Sequence, residues 1–412
     1  MRKFLPLICL LAFFLAFSLR GFQAGASRVS ITPEKPLPLA GYGARLGKPS
    51  RGILDPVYVR ALVLDDGKSQ IALVSADILL ILADLKKEVE EKVKDLALDG
   101  ILLGATHTHS GPGGYSDIFI VELAVLGGYK PWYREFLVNQ MAKAIREANE
   151  NLKPARLGSV VGKAPGFNIN RRDPEGPTDP ALGVIKITDL SETPIAYLIN
   201  YTAHPTCLSD RNMKISGDWV GVLEREIEEK SPPAVALFFN GALGDQAPNC
   251  GLQEKPLLCR NRIGKGIAEK VWELIPRIQT TEQVNFKLID RYVPMPSAQV
   301  RKGCWGILQP AMKKCSKKLL REKAEFMLLE INDILIYASP AELAVEVGLH
   351  LKAQHPDKKV LVFAHGNDWQ GYLLTPEEYE KGGYEACMSL YGRDFEPYFE
   401  KVYLELESSL SQ

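Results

Sequence analysis

The chain has 412 residues, 46% hydrophobic and 24% charged, with Lys+Arg and Asp+Glu equal at 50 each. This length and apolar content allow a large buried core. The even charge balance, with no basic face or tail, excludes the electrostatics of a nucleic-acid binder and favours small or neutral substrates.

In chain order, the N-terminus reads first as an export signal. Met1-Arg2-Lys3 precedes the mostly apolar run from Phe4 to Leu19, and the small residues Ala24-Gly25-Ala26 come after it. The expectation is a signal peptide, 1–26, cleaved after Ala26. The mature catalytic domain, 27–412, would then be secreted, periplasmic or cell-surface. An uncleaved anchor is the alternative, because Arg20 follows the run directly, although the run is short of the ~20 residues of a span. Of seven cysteines, Cys9 would leave with the signal. Cys250 with Cys259 and Cys304 with Cys315 flank short loops and read as local disulfides of an exported protein. Cys207 and Cys387 have no sequence neighbour and read equally well as buried thiols.

A hairpin is predicted from Val57–Leu64 to Gln70–Ser75, turning at Asp65-Asp66-Gly67-Lys68. Helical periodicity runs through 84–98, 132–151 and 263–275, and a further helix is expected over Glu342–Lys352. Short apolar strands lie between: 101–103, 195–199, 234–239, 334–337 and 360–363. Strands alternating with helices predict an α/β fold with a mixed, mostly internal β-sheet flanked by helices. The Pro-, Lys- and Cys-rich stretch 280–323 is expected to be an insertion or lid.

The polar loops at the carboxyl ends of these strands carry the chemistry. ILLGATHTHSG delivers His107 and His109, and IAYLINYTAHPT delivers His204. The loop after Phe239 delivers Asn240, Asp245 and Asn249, ILIYASPAE delivers Glu342, and VLVFAHGNDWQGY delivers His365, Asn367, Asp368 and Tyr372. Ligand sites of α/β sheets gather beyond the carboxyl ends of strands, so these loops are expected to converge. Three imidazoles and a carboxylate in one crevice suit zinc. Residues at i and i+2 of extended chain face the same way, so His107 and His109 share the crevice, one as ligand and one as substrate contact or outer support. Asp245 reads equally as a turn cap, Arg171 as a surface ion pair, and Glu342 as a favourable charge at a helix N-terminus. His350 and His355 look like exposed helix-end residues, and Tyr384 in GGYEA carries no chemical signal of its own.

Taken together, Gly104–Tyr115, Asn200–Thr206, Gly244–Asn249, Pro340–Glu342 and Gly371–Tyr391 resemble the neutral/alkaline, non-lysosomal ceramidases, as does SITPEKPLPLAGYGAR. The matches keep their order from about residue 28 to 395. The resemblance implies a zinc amidase that cleaves the N-acyl bond of ceramide. It implies His107, His204, Glu342 and Tyr384 as metal ligands, the last supported by its spacing from Tyr372. His109, Arg171 and Tyr372 correspond to active-site residues of that family, and Asp245 falls in its Gly-Asp-x-Ser-Pro-Asn motif. Here that motif reads Gly244-Asp245-Gln246-Ala247-Pro248-Asn249, so the hydroxyl needed for a covalent acyl-enzyme is missing at Ala247. The chain also ends at 412 without the family's C-terminal immunoglobulin-like domain.

The expected function is therefore hydrolysis of a ceramide-like lipid amide by zinc-activated water, with peripheral membrane contact. His109 is expected to protonate the leaving amine. Two alternatives stand beside it: a zinc hydrolase of another amide or ester, and a degenerate lipid-binding envelope protein. A serine hydrolase or phosphate-binding enzyme is disfavoured, because neither Gly-x-Ser-x-Gly nor Gly-x-x-x-x-Gly-Lys-Ser/Thr occurs.

Overall fold

The Asp-Gly turn at residues 65–68 does what its chemistry predicts. The Asp65 carboxylate accepts the Gly67 N–H at 2.7 Å, and Gly67 takes φ +85°. This closes a hairpin between β2 (Tyr58–Asp65) and β3 (Gln70–Ala76), in register from Asp65↔Gln70 to Val59↔Ala76. The computed structural model describes residues 21–304 and 320–410. β1 (Gln23–Ser30) pairs antiparallel with β2, and β4 (Gly100–Ala105) pairs parallel with β3. The ladder continues into β5 (Lys153–Lys163), β6 (Ala181–Asp189), β7 (Pro194–Tyr201) and β8 (Val235–Asn240), in the order β4–β3–β2–β1–β5–β6–β7–β8. The β1–β5 join is only Gln23↔Pro154 and Ala24↔Lys153, a corner where the sheet turns on itself. A second sheet runs β9 (Phe286–Pro294), β10 (Lys323–Ile331), β11 (Ile334–Ala338), β12 (Lys359–Phe363).

Hydrophobic alternation decides how the sheets stack. Leu62, Leu73, Leu102, Leu198, Leu237 and Phe239 of the long sheet meet Met327, Leu329, Ile336, Leu361 and Phe363 of the second sheet in one buried cluster. Phe239 and Phe363 stack there at 4.4 Å and 8°. Helices cover the remaining faces: α1 (Ala83–Val93) and α2 (Pro131–Glu150) over β1–β4, and α3 (Asp218–Lys230) and α4 (Pro256–Leu274) over β5–β8. α5 (Val345–Gln354) and α6 (Phe395–Leu410) lie over the second sheet. This is the expected α/β class, with two sheets face to face in place of a single one.

Several expectations change. The small residues read as a cleavage pattern lie inside β1, where Ala24 is fully buried. Gly25 has no side chain because the end of α2 packs there: a Cβ would stand 2.6 Å from the Asn151 carbonyl carbon. A cut after Ala26 would remove the first half of this strand. Glu342 does not open a helix; α5 begins at Val345, and Glu342 pairs with Tyr372 in a two-residue parallel ladder. Within 280–323, Phe286–Pro294 is an edge strand rather than an insertion, while 305–319 lies outside the described residues. Cys250 and Cys259 are bonded as expected, but Cys304 joins Cys387 rather than Cys315, and Cys207 is a buried thiol. No helix among the described residues is long and apolar enough to cross a membrane.

Candidate metal centre

Side-chain amides tie together the strand ends from which the site grows. Asn200 donates to the Phe239 and Val362 carbonyls, both at 2.9 Å, bridging the two sheets. Asn240 donates to the Thr106 carbonyl at 2.6 Å, fixing the end of β8 against the loop after β4. The loops after β4, β7, β11 and β12 thereby open into one place, the convergence predicted at the carboxyl ends of strands.

His107 sits there with φ +65°, a strained position for a non-glycine residue. Its Nδ1 lies 2.8 Å from the Leu79 carbonyl, and the Nδ1 of His204 lies 3.1 Å from the Gln246 carbonyl. A carbonyl only accepts, so both rings carry their proton on Nδ1 and present a bare Nε2, the tautomer of a metal-ligating histidine. The two Nε2 atoms lie 3.8 and 3.5 Å from Oε2 of Glu342. Neither His204 Nε2 nor Glu342 Oε2 has a hydrogen-bond partner, although both are buried. The other Glu342 oxygen accepts the Trp369 indole N–H at 2.8 Å. Orphaned lone pairs facing one another are costly in an empty interior and suit a divalent cation, so the residues fit zinc.

His109 stands beside them, its Nε2 3.2 Å from that of His107, its ring against Tyr42 and its Nδ1 without a partner. Gly41, at φ +101°, leaves room for it, since a Cβ there would come within 2.6 Å of the ring. Burial pushes the imidazoles of His107 and His109 well below their usual range and lowers that of His204, with the nearby Arg171 charge adding to it. Burial opposes ionisation of Glu342, yet the surrounding imidazoles outweigh it and hold the carboxyl well below its ordinary range. These tendencies compete for one charge. Protonated rings facing at 3.2 Å would repel, so the geometry favours neutral imidazoles beside an ionised Glu342.

The remaining expected residues divide. Tyr372 is buried in the same cavity, in register with Glu342, and receives a hydrogen bond from Arg171 at 3.1 Å. Arg171 also donates to the Gly244 carbonyl and the Glu385 carboxylate, so it is no surface pair. Tyr384 lines the cavity and packs at 5.8 Å against Tyr372, but 59% of the residue is exposed. Its hydroxyl is nonetheless pushed up to about 12, by burial first and then by Glu342. Asp245 takes no part in the cluster of donors. Its carboxylate accepts the Val345 N–H at 2.9 Å and bonds to Gln246 and Asn170, which makes it a scaffold for the loop beneath His204. Ala247 is in the same loop, paired with Ile169.

The structure also places Trp369, which was not singled out from sequence, and His365, which the sequence brought to the crevice without a role. Trp369 holds Glu342, and His365 stacks on His107 at 4.2 Å and 17°. His365 was visible in the loop after β12, but nothing local distinguishes a stacked imidazole from a solvated one.

The cavity beside these groups measures about 100 Å³ and is walled by Leu79, Leu80, Ile120, Val121, Val125 and Trp369. Pockets that enclose a drug-sized ligand are ~300–1,000 Å³, so this one takes a reacting centre rather than a whole lipid. A larger cleft of about 530 Å³ between Arg28, Arg60, Asp77, Arg225 and Glu228 holds ion pairs and has no histidine or cysteine in its lining, and is not the site.

Residues 22–265 match the family model of neutral/alkaline non-lysosomal ceramidase, N-terminal. The chain is 24% identical to the neutral ceramidase of Drosophila melanogaster, over 95% of its own length and 74% of the relative's. It is 27% identical to that of Mycobacterium tuberculosis, over 86% and 71% respectively. The fold resembles the crystal structure of neutral ceramidase from Pseudomonas aeruginosa with a TM-score of 0.79, at 20% identity, covering 93% of this chain and 73% of that one.

Proposed function

Because the chain belongs to the neutral/alkaline non-lysosomal ceramidase family, we propose that it is a zinc-dependent amide hydrolase acting on the N-acyl bond of ceramide or a related lipid amide. The observation that carries the metal is the buried, unpartnered pair His204 Nε2 and Glu342 Oε2 beside His107 Nε2. Zinc held by His107, His204 and Glu342, with Tyr384 at the cavity edge, would supply Lewis acidity and a hydroxide at neutral pH. The protein's own groups do the rest. The apolar walls keep bulk water from the acyl segment. Tyr372, oriented by Arg171, offers a donor to the acyl oxygen as it gains charge. His109 is placed to hand a proton to the departing amine through a ring nitrogen that no protein group occupies. Ala247 has no hydroxyl, so the acyl group passes directly to water.

The test joins metal analysis of the purified protein to fatty-acid release from a ceramide. His107→Ala and His204→Ala should lose both metal and turnover; turnover persisting without metal would refute the reading. The missing hydroxyl at residue 247 favours a second substrate class, another amide or an ester, and a panel of ceramides, N-acyl amino acids and simple esters separates the two. Export is proposed from the Met1–Leu19 pattern, with the mature end at or before Phe22, because Phe22 is 4% exposed in the folded core. N-terminal sequencing of exported protein decides it.

A further inference from the structure

Four of the chain's six histidines, 107, 109, 204 and 365, share one buried cluster. Three have been given roles. The fourth, His365, is fully buried at φ +58°, and neither ring nitrogen has a hydrogen-bond partner. Its loop is pinned. The Gly366 N–H meets the Ser339 carbonyl at 2.9 Å. Asn367 accepts the Leu103 N–H at 2.8 Å and donates to Glu325 at 2.7 Å. A neutral imidazole always carries one donor and one lone pair, and leaving both unmatched in an interior is costly. Such an orphan needs a partner that the protein itself does not supply.

His204 Nε2 and Glu342 Oε2, in the same cluster, are likewise without a partner. A ring nitrogen of His365 lies within 4.8 Å of the donor atoms of both His107 and Glu342. Resting on the reading of this pocket as a metal centre, we propose that His365 is a further ligand of the ion, joining His107, His204 and Glu342 in a wholly buried donor set. The rings of His365 and His107 lie flat on each other, 17° apart, so their in-plane lone pairs run side by side. Ligation by both requires the His365 ring to turn about χ2, a broad torsion for imidazole.

The experiment uses the full chain, stripped of metal and titrated with Zn²⁺ against a competing chelator, then with Co²⁺ to read its visible ligand-field bands. His365→Phe keeps a flat ring against His107 but has no nitrogen; His365→Ala removes both. His365→Leu gives a third nitrogen-free side chain, and circular dichroism of the metal-free proteins checks folding. All three should bind Zn²⁺ at least about tenfold more weakly than the wild type, with altered Co²⁺ bands. If His365→Phe or His365→Leu binds both ions as the wild type does, His365 only packs and the inference is overturned. If the wild type binds neither ion, the metal-centre reading itself fails, an outcome distinct from retained binding in the His365 variants.

Discussion

Trp369→Phe tests how the protein prepares Glu342. The indole N–H meets Oε1 at 2.8 Å, and the two residues are 6% and 3% exposed. A hydrogen bond to a charged group contributes about 1.5–3 kcal/mol. At about 1.4 kcal/mol per tenfold, its loss should weaken metal binding by roughly 10- to 100-fold, the range seen when the outer partner of a metal ligand is removed. Phenylalanine fills most of the space, so the metal-free fold should lose far less than the site does. The assay is Zn²⁺ affinity by chelator competition, paired with urea unfolding of the metal-free proteins. An unchanged affinity would mean that the indole does nothing for Glu342 as a ligand. A loss of affinity matched by an equal loss of metal-free stability would count against the idea as well, because Trp369 would then act only through packing.

Gly41→Ala should place a methyl against the His109 ring and strain a backbone at φ +101° by about 1–3 kcal/mol. Turnover should fall by about 100-fold with metal content retained, read by kinetics beside metal analysis; loss of metal instead would place His109 among the ligands. Metal-free protein should be destabilised by acid in a definite window. The folded pKa of His365 is about 4 against 6.5 unfolded, so the unfolded chain binds the extra proton. Its contribution, about 3 kcal/mol, is complete above pH 6.5 and is lost as pH falls towards 4, which urea titrations across that range would detect. A chain beginning at residue 27 should be less stable than one beginning at 21 by several kcal/mol, because it lacks buried Phe22 and Ala24 and the first pairs of β1. Equal urea midpoints would show that these residues are dispensable.

Much of the site was legible because its residues come directly after strands whose apolar runs announce themselves. Ile101–Leu103 leads to His107 and Ile195–Ile199 to His204, each within a few residues. The Asp-Gly hairpin was equally plain, since its turn chemistry is local. Tyr384 was another matter: it entered through family resemblance, and no periodicity marks it. The small residues at 24–26 fit two readings. Small residues suit a cleavage site, and they also suit a strand against which a helix packs without side-chain clearance, as Gly25 does under α2.

Element types, the α/β class and the three donors at strand ends were thus written in the chain itself, because each depends on burial patterns and turns spanning a few residues. Which loops meet was settled by the folded arrangement alone. It folded one sheet at a corner, laid a second across it, and brought Asn367 to Leu103 across 264 positions. It set Glu342 beside Tyr372 instead of at a helix end, gave it Trp369 as a donor, stacked His365 on His107, and joined Cys304 to Cys387. Those contacts arise from packing between segments distant in the chain, and local composition carries no record of a partner that far away.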